Sequence, residues 1–240
     1  MKIFSTLTFL ALSLAVHAAL INPSFETPVV YNDVANPTNA GWVFSGDAGL
    51  SCNNNGYTSL NPENAPDGTQ VAYLGTLGSI SQTFTNSKPG IYEFRLQAAQ
   101  RYFPFSDLQQ SFTVSFDGVI LATYQPDADA FYYTFTTNIF LLQGSHTLAF
   151  QGQNPGMFEM VFIDVVQLQL VPTLQLTKSS GSVNLTVQQG LTNRVYTISR
   201  QVVVGGVSTV ITNTINAQTV TLTNQPANQA FYYISALNDL

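Results

Sequence analysis

Charge is what this chain has least of. Lysine, arginine, aspartate and glutamate make up 8% of its 240 residues, against about a quarter in an ordinary globular domain. Seven bases against thirteen acids leave a net charge of -6. With no basic patch to displace counterions from a phosphate backbone, nucleic acid is excluded as a partner class. Cysteine occurs once, at Cys52, so no disulfide closes within the chain. Cys52 is either an incidental free thiol or a bridge to another molecule. Histidine occurs twice, at His17 and His146. Serine–histidine catalysis and zinc binding both need more convergent partners than that, so His146 reads as structural. No phosphate loop or dinucleotide fingerprint is present. Two carboxylates suffice for a glycosidase, and Glu63, Asp67, Asp107, Asp127, Asp129 and Glu159 are available. No spacing among them singles out a pair, and the chain reads as non-catalytic.

What fills the space left by charge is asparagine, glutamine, threonine and serine, a composition suited to an extracellular β-protein with hydrogen-bonding faces. Residues 1–18 open with Lys2, continue through an apolar run, Ile3–Val16, and end in Val16-His17-Ala18. That pattern predicts a secretory signal peptide cleaved after Ala18, an uncleaved anchor being the alternative. The run is short for a membrane span, and nothing later resembles one. Residues 19–170 carry twelve of the acids and three of the bases, a net of -9, whereas residues 171–240 are slightly basic. The break near Val171-Pro172 predicts two domains, 19–171 and 172–240.

Strand and turn signals recur through the first domain. Ile91–Ala98 alternates Tyr92, Phe94 and Leu96 with Glu93, Arg95 and Gln97. Asp117-Gly118 marks a hairpin between Ser111–Phe116 and Val119–Tyr124. Further strands are predicted at Gly41–Phe44, Gln70–Leu74, Ser79–Phe84, Phe131–Thr137, Ile139–Leu142 and His146–Gln151. Tyr31–Ala40 and Ser45–Gly68 read as loops, the second long enough to be functional. Ala19–Val30 and Phe158–Leu170 are predicted as the first and last strands of one sandwich. The last strand is apolar apart from Asp164, and a buried carboxylate needs a partner or a cation. Glu26, from the first strand, is expected to meet it, with calcium as the ion they would share. The second domain has candidate strands at 174–177, 183–187, 194–199, 201–204, 207–212, 218–223 and 231–236. A small immunoglobulin- or fibronectin-like sandwich is expected there. Asn184-Leu185-Thr186 is a glycosylation sequon, used only in a host with that machinery.

Two loops mix aromatic rings with polar groups, as sugar recognition requires. One is Asn53–Asn61 with Tyr57; the other, residues 101–107, contributes Arg101, Tyr102, Phe103 and Asp107. These five are the candidate ligand-binding residues. For Phe103 and Phe105 the equal alternative is a lid folded over the end of the sandwich.

A set of short motifs in fixed order runs through residues 19–170. They include Asn22-Pro23-Ser24-Phe25-Glu26-Thr27-Pro28, Gly41-Trp42, Pro66-Asp67-Gly68-Thr69-Gln70 and Ile80-Ser81-Gln82-Thr83-Phe84. Gly90-Ile91-Tyr92, Phe116-Asp117-Gly118, Gly144-Ser145-His146-Thr147-Leu148 and Phe162-Ile163-Asp164-Val165-Val166 follow. Together they resemble the galactose-binding-like jelly rolls, a superfamily with many secreted carbohydrate-binding modules. The resemblance implies an all-β fold, an antiparallel jelly-roll β-sandwich followed by the smaller immunoglobulin-like one. It also implies a structural calcium held by Glu26 and Asp164. Val165 departs from the pattern, since a second polar residue often follows that aspartate. Phe231-Tyr232-Tyr233-Ile234 is similar, over residues 172–240 alone, to the closing strand of small sandwiches that end many secreted bacterial proteins. The expected function is secreted, extracellular or cell-surface binding of a glycan or polysaccharide. The alternative is a structural or adhesive protein that assembles through protein contacts, because uncharged strands offer little resistance to edge pairing.

Overall fold

The computed structural model describes residues 20–59, 64–101, 110–127, 132–153, 160–179, 182–188, 195–201, 208–215, 219–223 and 231–236. All regular structure among them is β-strand, and every pairing is antiparallel. The expected all-β fold holds. The chain forms two compact units that divide between Val171 and Pro172.

The first unit is a β-sandwich of jelly-roll type. Its strands are β1 (Val34–Ala35), β2 (Val43–Ser45), β3 (Ala48–Cys52), β4 (Gln70–Gly75), β5 (Ser79–Asn86) and β6 (Gly90–Gln100), then β7 (Phe112–Phe116), β8 (Val119–Tyr124), β9 (Tyr133–Leu141), β10 (Gly144–Gly152) and β11 (Met160–Leu170). One sheet has the order β1-β3-β4-β11-β6-β9 and the other β2-β5-β10-β7-β8. Period-two alternation decides which side chains enter. In β6, Tyr92, Phe94, Leu96 and Ala98 are buried and Ile91 and Arg95 are exposed. Between the sheets Trp42 lies against Phe25 and Phe150, with ring centroids 5.1 and 5.8 Å away. Phe94 meets Phe116 edge-on at 5.5 Å. Each such side chain removed from water contributes about 1.5–3 kcal/mol. This core holds the unit together without a disulfide.

Three expectations need correction. The segment Leu20–Val30 is not a strand but a run of turns, with Asn22 and Phe25 at φ 51° and 57°. Side-chain amides replace ladder bonds there. Gln82 of β5 takes the Ile21 N–H and donates to the Ile21 and Gly41 carbonyls, each at 2.8 Å. Gln70 of β4 takes the Val30 N–H at 2.9 Å and donates to the Phe25 and Pro28 carbonyls. The two predicted loops at 31–40 and 45–68 each conceal a strand, β1 and β3. The strands expected at Phe131–Thr137 and Ile139–Leu142 are one, β9, since Asn138 continues the ladder opposite Glu93.

The second unit has two three-stranded sheets, of order β12-β13-β16 and β15-β14-β17. They comprise β12 (Thr173–Ser179), β13 (Ser182–Gln188), β14 (Val195–Gln201), β15 (Ser208–Ile215), β16 (Thr219–Thr223) and β17 (Phe231–Ala236). Leu185 and Val187 of β13 are buried. Asn184 of the sequon sits in β13, opposite Thr177 and Thr221.

Candidate functional site

The outer face of the six-stranded sheet carries a second, smaller apolar cluster. Residues of β4 and β11 whose neighbours enter the core turn outward here: Val71, Tyr73, Met160 and Phe162 are buried together, with Tyr57, Ala65 and Tyr132 packed against them. Tyr57 and Ala65 come from the long segment after β3. Side-chain bonds fold that segment down. The Thr58 hydroxyl donates to the Cys52 carbonyl at 2.6 Å, and the Asn53 side chain accepts the Ala65 N–H at 2.8 Å. Tyr57 meets Tyr73 edge-on, centroids 5.1 Å apart.

Arg101 arrives from the end of β6. Its N–H bonds the Met160 carbonyl at 2.9 Å, carrying the β6–β11 ladder one residue further. Gln110 pairs with Arg101, accepting the Arg101 N–H at 3.2 Å and donating to the Arg101 carbonyl at 3.3 Å. The guanidinium lies over the Tyr57 ring, 4.6 Å from its centroid. Such stacking suits the weakly hydrated, planar guanidinium. Arg101 is 8% exposed, and burial pushes its pKa down while Tyr57, Asp33 and Asp47 favour its charge. Asp33 accepts the Ser51 hydroxyl at 2.6 Å. A side chain at Gly56 would fall 2.6 Å from the Asp33 Oδ2, so glycine lets the loop pass over that carboxylate without moving it.

The structure thus brings Tyr57 and Arg101 into contact, as parts of a packed cluster. Tyr102, Phe103 and Asp107 lie outside the described residues. Sequence reasoning missed Asp33, Asp47, Tyr73 and Tyr132. Tyr73 had a signal: its outward register in β4 leaves a large ring on a face that something must cover. Asp33 and Asp47 had none, because loop carboxylates are indistinguishable from solvated ones until the fold places them.

Glu26 and Asp164 grip one turn. Glu26 accepts the Thr69 and Gln70 N–H groups, each at 3.0 Å, and the Thr69 hydroxyl at 3.1 Å. Gly68, at φ 74°, fits only as glycine, since its Cβ would sit 2.3 Å from the Glu26 carboxyl carbon. Asp164, fully buried, accepts the Asp67 N–H at 2.9 Å and the Val165 N–H at 2.7 Å. A bulge between Asp164 and Gln167 puts Val165 at φ 50° and turns the Val166 N–H out of the ladder to the Pro23 carbonyl, 2.9 Å away. A β-branched residue in that region costs about 1–3 kcal/mol. Burial, reinforced by the charges of Asp67 and Glu26 and opposed by the two N–H bonds, pushes the Asp164 carboxyl up to about 7. As a donor set for calcium these are hard, anionic oxygens, the right chemistry. No group of three or more histidine, cysteine or acidic side chains converges on one point among the described residues. Two carboxylates supply part of a shell of six to eight oxygens, and backbone carbonyls or water would supply the rest.

No protein-family model matches the chain, and no curated protein matches it in sequence. Solved structures do. A family 61 carbohydrate-binding module, in complex with β-1,4-galactotriose, is 18% identical; the match covers 65% of this chain and 100% of that one, with a TM-score of 0.46. The K2 cleaved adhesin domain of Lys-gingipain is 11% identical, over 63% of this chain and 98% of that one, at a TM-score of 0.42. A family 35 carbohydrate-binding module from Clostridium thermocellum is 11% identical, over 54% and 92%, at 0.38. At such identities and scores the likeness is one of folding pattern, and it assigns neither a ligand nor a site residue to this chain.

Proposed function

We propose that this is a secreted, non-catalytic protein whose first unit binds a glycan or polysaccharide through the loops around Tyr57 and Arg101. Tyr102, Phe103 and Asp107 belong to the same surface in this reading. The observation that carries it is the Tyr57–Arg101 stack, at 4.6 Å, between residues from separate loops. The half-buried Tyr57 ring takes the C–H side of a sugar, and Arg101, itself only 8% exposed, holds that ring in place through the stack. Calcium, held by Glu26 and Asp164, ties the N-terminal turns to the last strand. Secretion is supported by the Lys2 and Ile3–Val16 pattern. In the second unit, an immunoglobulin-like arrangement is supported by sheets that take strands first, second and fifth against third, fourth and sixth.

Protein-mediated assembly is a second reading, favoured by edge strand β9. It carries no charged residue, and Phe140 on it is 63% exposed. Retention on insoluble polysaccharides and a glycan array separates the two. If glycan binding is right, Tyr57→Ala lowers retention about tenfold or more, the weight of a typical interface anchor, measured at a temperature where circular dichroism shows the variant still folded. No retention on any glycan, with oligomers that grow with concentration in sedimentation, supports assembly instead.

A further inference from the structure

Away from that surface, His146 of β10 is held between two acceptors. Its Nδ1 lies 2.7 Å from the Asp117 Oδ2, and its Nε2 lies 2.7 Å from the Leu142 carbonyl oxygen. A carbonyl cannot donate, so Nε2 must carry a hydrogen. In the neutral ring with that hydrogen, Nδ1 would set a bare lone pair against a carboxylate oxygen. The other neutral tautomer sets Nε2 against the carbonyl in the same way. Only the imidazolium satisfies both contacts.

The two acceptors belong to different turns. Asp117 and Gly118, at φ 52° and 78°, form the hairpin turn between β7 and β8. Asp117 is bound to β10 by its own N–H to the Thr147 carbonyl and by its Oδ1 from the Thr147 N–H, both at 2.8 Å. Leu142 leads from β9 into the turn that starts β10. Both turns lie at the end of the sandwich where β6 begins, because Gly90 pairs with Leu141. Arg101 follows the other end of β6.

We infer that His146 is a pH-sensitive brace, locking the β7–β8 and β9–β10 turns together while its ring is protonated and releasing them when it loses that proton. Among the described residues the facing groups are Asp117, which supplies the charge, Leu142, which supplies its carbonyl, and on β5 the Phe84 ring at 5.9 Å. Burial pulls the histidine down from 6.5, but the Asp117 hydrogen bond, the Leu142 carbonyl and the Asp117 charge outweigh it and raise its pKa. Burial likewise acts upward on Asp117, and the same pairing with His146 plus the Thr147 N–H holds it below 3.8. The signs give the window. The histidine's contribution is complete below about 6.5 and is lost as pH rises through its raised value; that of the aspartate is present above about 3.8 and lost as pH falls further. The brace is therefore closed in mildly acidic surroundings and opens toward alkaline ones.

The test is a histidine titration by NMR on the full chain, with His146→Gln assigning its signals apart from those of His17. The expected result is a His146 midpoint above 6.5, both ring N–H groups protonated below it, and a downward shift in Asp117→Asn. Amide exchange at residues 117–118 and 142–144, corrected for its intrinsic pH dependence, should accelerate as pH passes the midpoint. The gain is about tenfold for each unit of elevation, and it should be absent in His146→Gln. A midpoint at or below 6.5, or a single protonated ring nitrogen at pH 6, overturns the brace. If either variant fails to fold, the titration of the unaltered chain still decides.

Discussion

Two glutamines decide how the chain begins. Gln70 and Gln82 sit at buried, inward positions on opposite sheets, where an apolar side chain would be the ordinary choice. Each instead spends its full amide on backbone groups of the N-terminal turns. An amide is the only uncharged side chain with a donor pair and an acceptor on one rigid plane, so it can stand in for a missing strand partner. Replacing Gln70 by Ala leaves the Val30 N–H and the Phe25 and Pro28 carbonyls without that partner in a buried setting. At about 1–3 kcal/mol for a buried polar group left unsatisfied, Gln70→Ala is expected to cost at least about 3 kcal/mol. Urea denaturation reads it as a lower midpoint at unchanged slope. Gln70→Glu should do no better, because a carboxylate faces both carbonyls with lone pairs. A loss under about 1 kcal/mol in either variant would show that the turns hold without the clasp.

Among the elements, the long strands were legible and the short ones were not, for reasons that lie in particular residues. β6 and β11 announce themselves because alternation or a continuous apolar run persists over many residues. β3 reads Ala48-Gly49-Leu50-Ser51-Cys52, with hardly a β-former in it, and its identity comes from what surrounds it. A Cβ on Gly49 would lie 2.1 Å from the Val34 carbonyl and 2.7 Å from the Tyr73 ring. The glycine is what lets β1 pair on one side while Tyr73 crosses the face. Gly49→Ala should therefore destabilise by about 1–3 kcal/mol, the range for overpacking, although alanine ordinarily favours a strand over glycine. Calorimetry showing an equal or higher melting temperature would mean that the face repacks freely. The same logic divides the candidate site. Aromatic and polar residues mixed in a loop pointed to Tyr57 and Arg101, and the fold sets one on the other. Nothing local could announce Asp33 and Asp47, whose role depends on where β1 and β3, which they directly precede, are placed. Asp164 was legible as an acid that needs compensation, because it stands alone in an apolar strand; that the Asp67 and Val165 N–H groups supply it, and that Glu26 sits among turns, was not.

At the scale of the whole molecule, the acids are concentrated in the first unit, and one of them, Asp164, is fully buried. The Asp164 carboxyl, pushed up to about 7 by burial and by Asp67 and Glu26, would ordinarily titrate near 3.8 once the chain unfolds. With its folded value raised, its contribution is complete below about 3.8 and is lost as pH rises toward 7. A chelated protein should therefore lose this part of its stability between about pH 4 and 7. Calcium bound as proposed would reverse that slope, because it would bind the carboxylate and compete with the proton. At one hundred times its dissociation constant, a ligand bound only to the native state adds about 2.7 kcal/mol. For a unit of this size that corresponds to roughly 5–10 °C in melting temperature. The rise on adding calcium should be full at pH 8 and fall away by pH 5. Asp164→Asn should lose it at both values and flatten the chelated pH profile between 4 and 7. Melting curves in calcium and in chelator that coincide at pH 8 would remove calcium from the account. A flattened profile in Asp164→Asn alongside such coincidence would still identify Asp164 as the buried acid whose proton the fold retains.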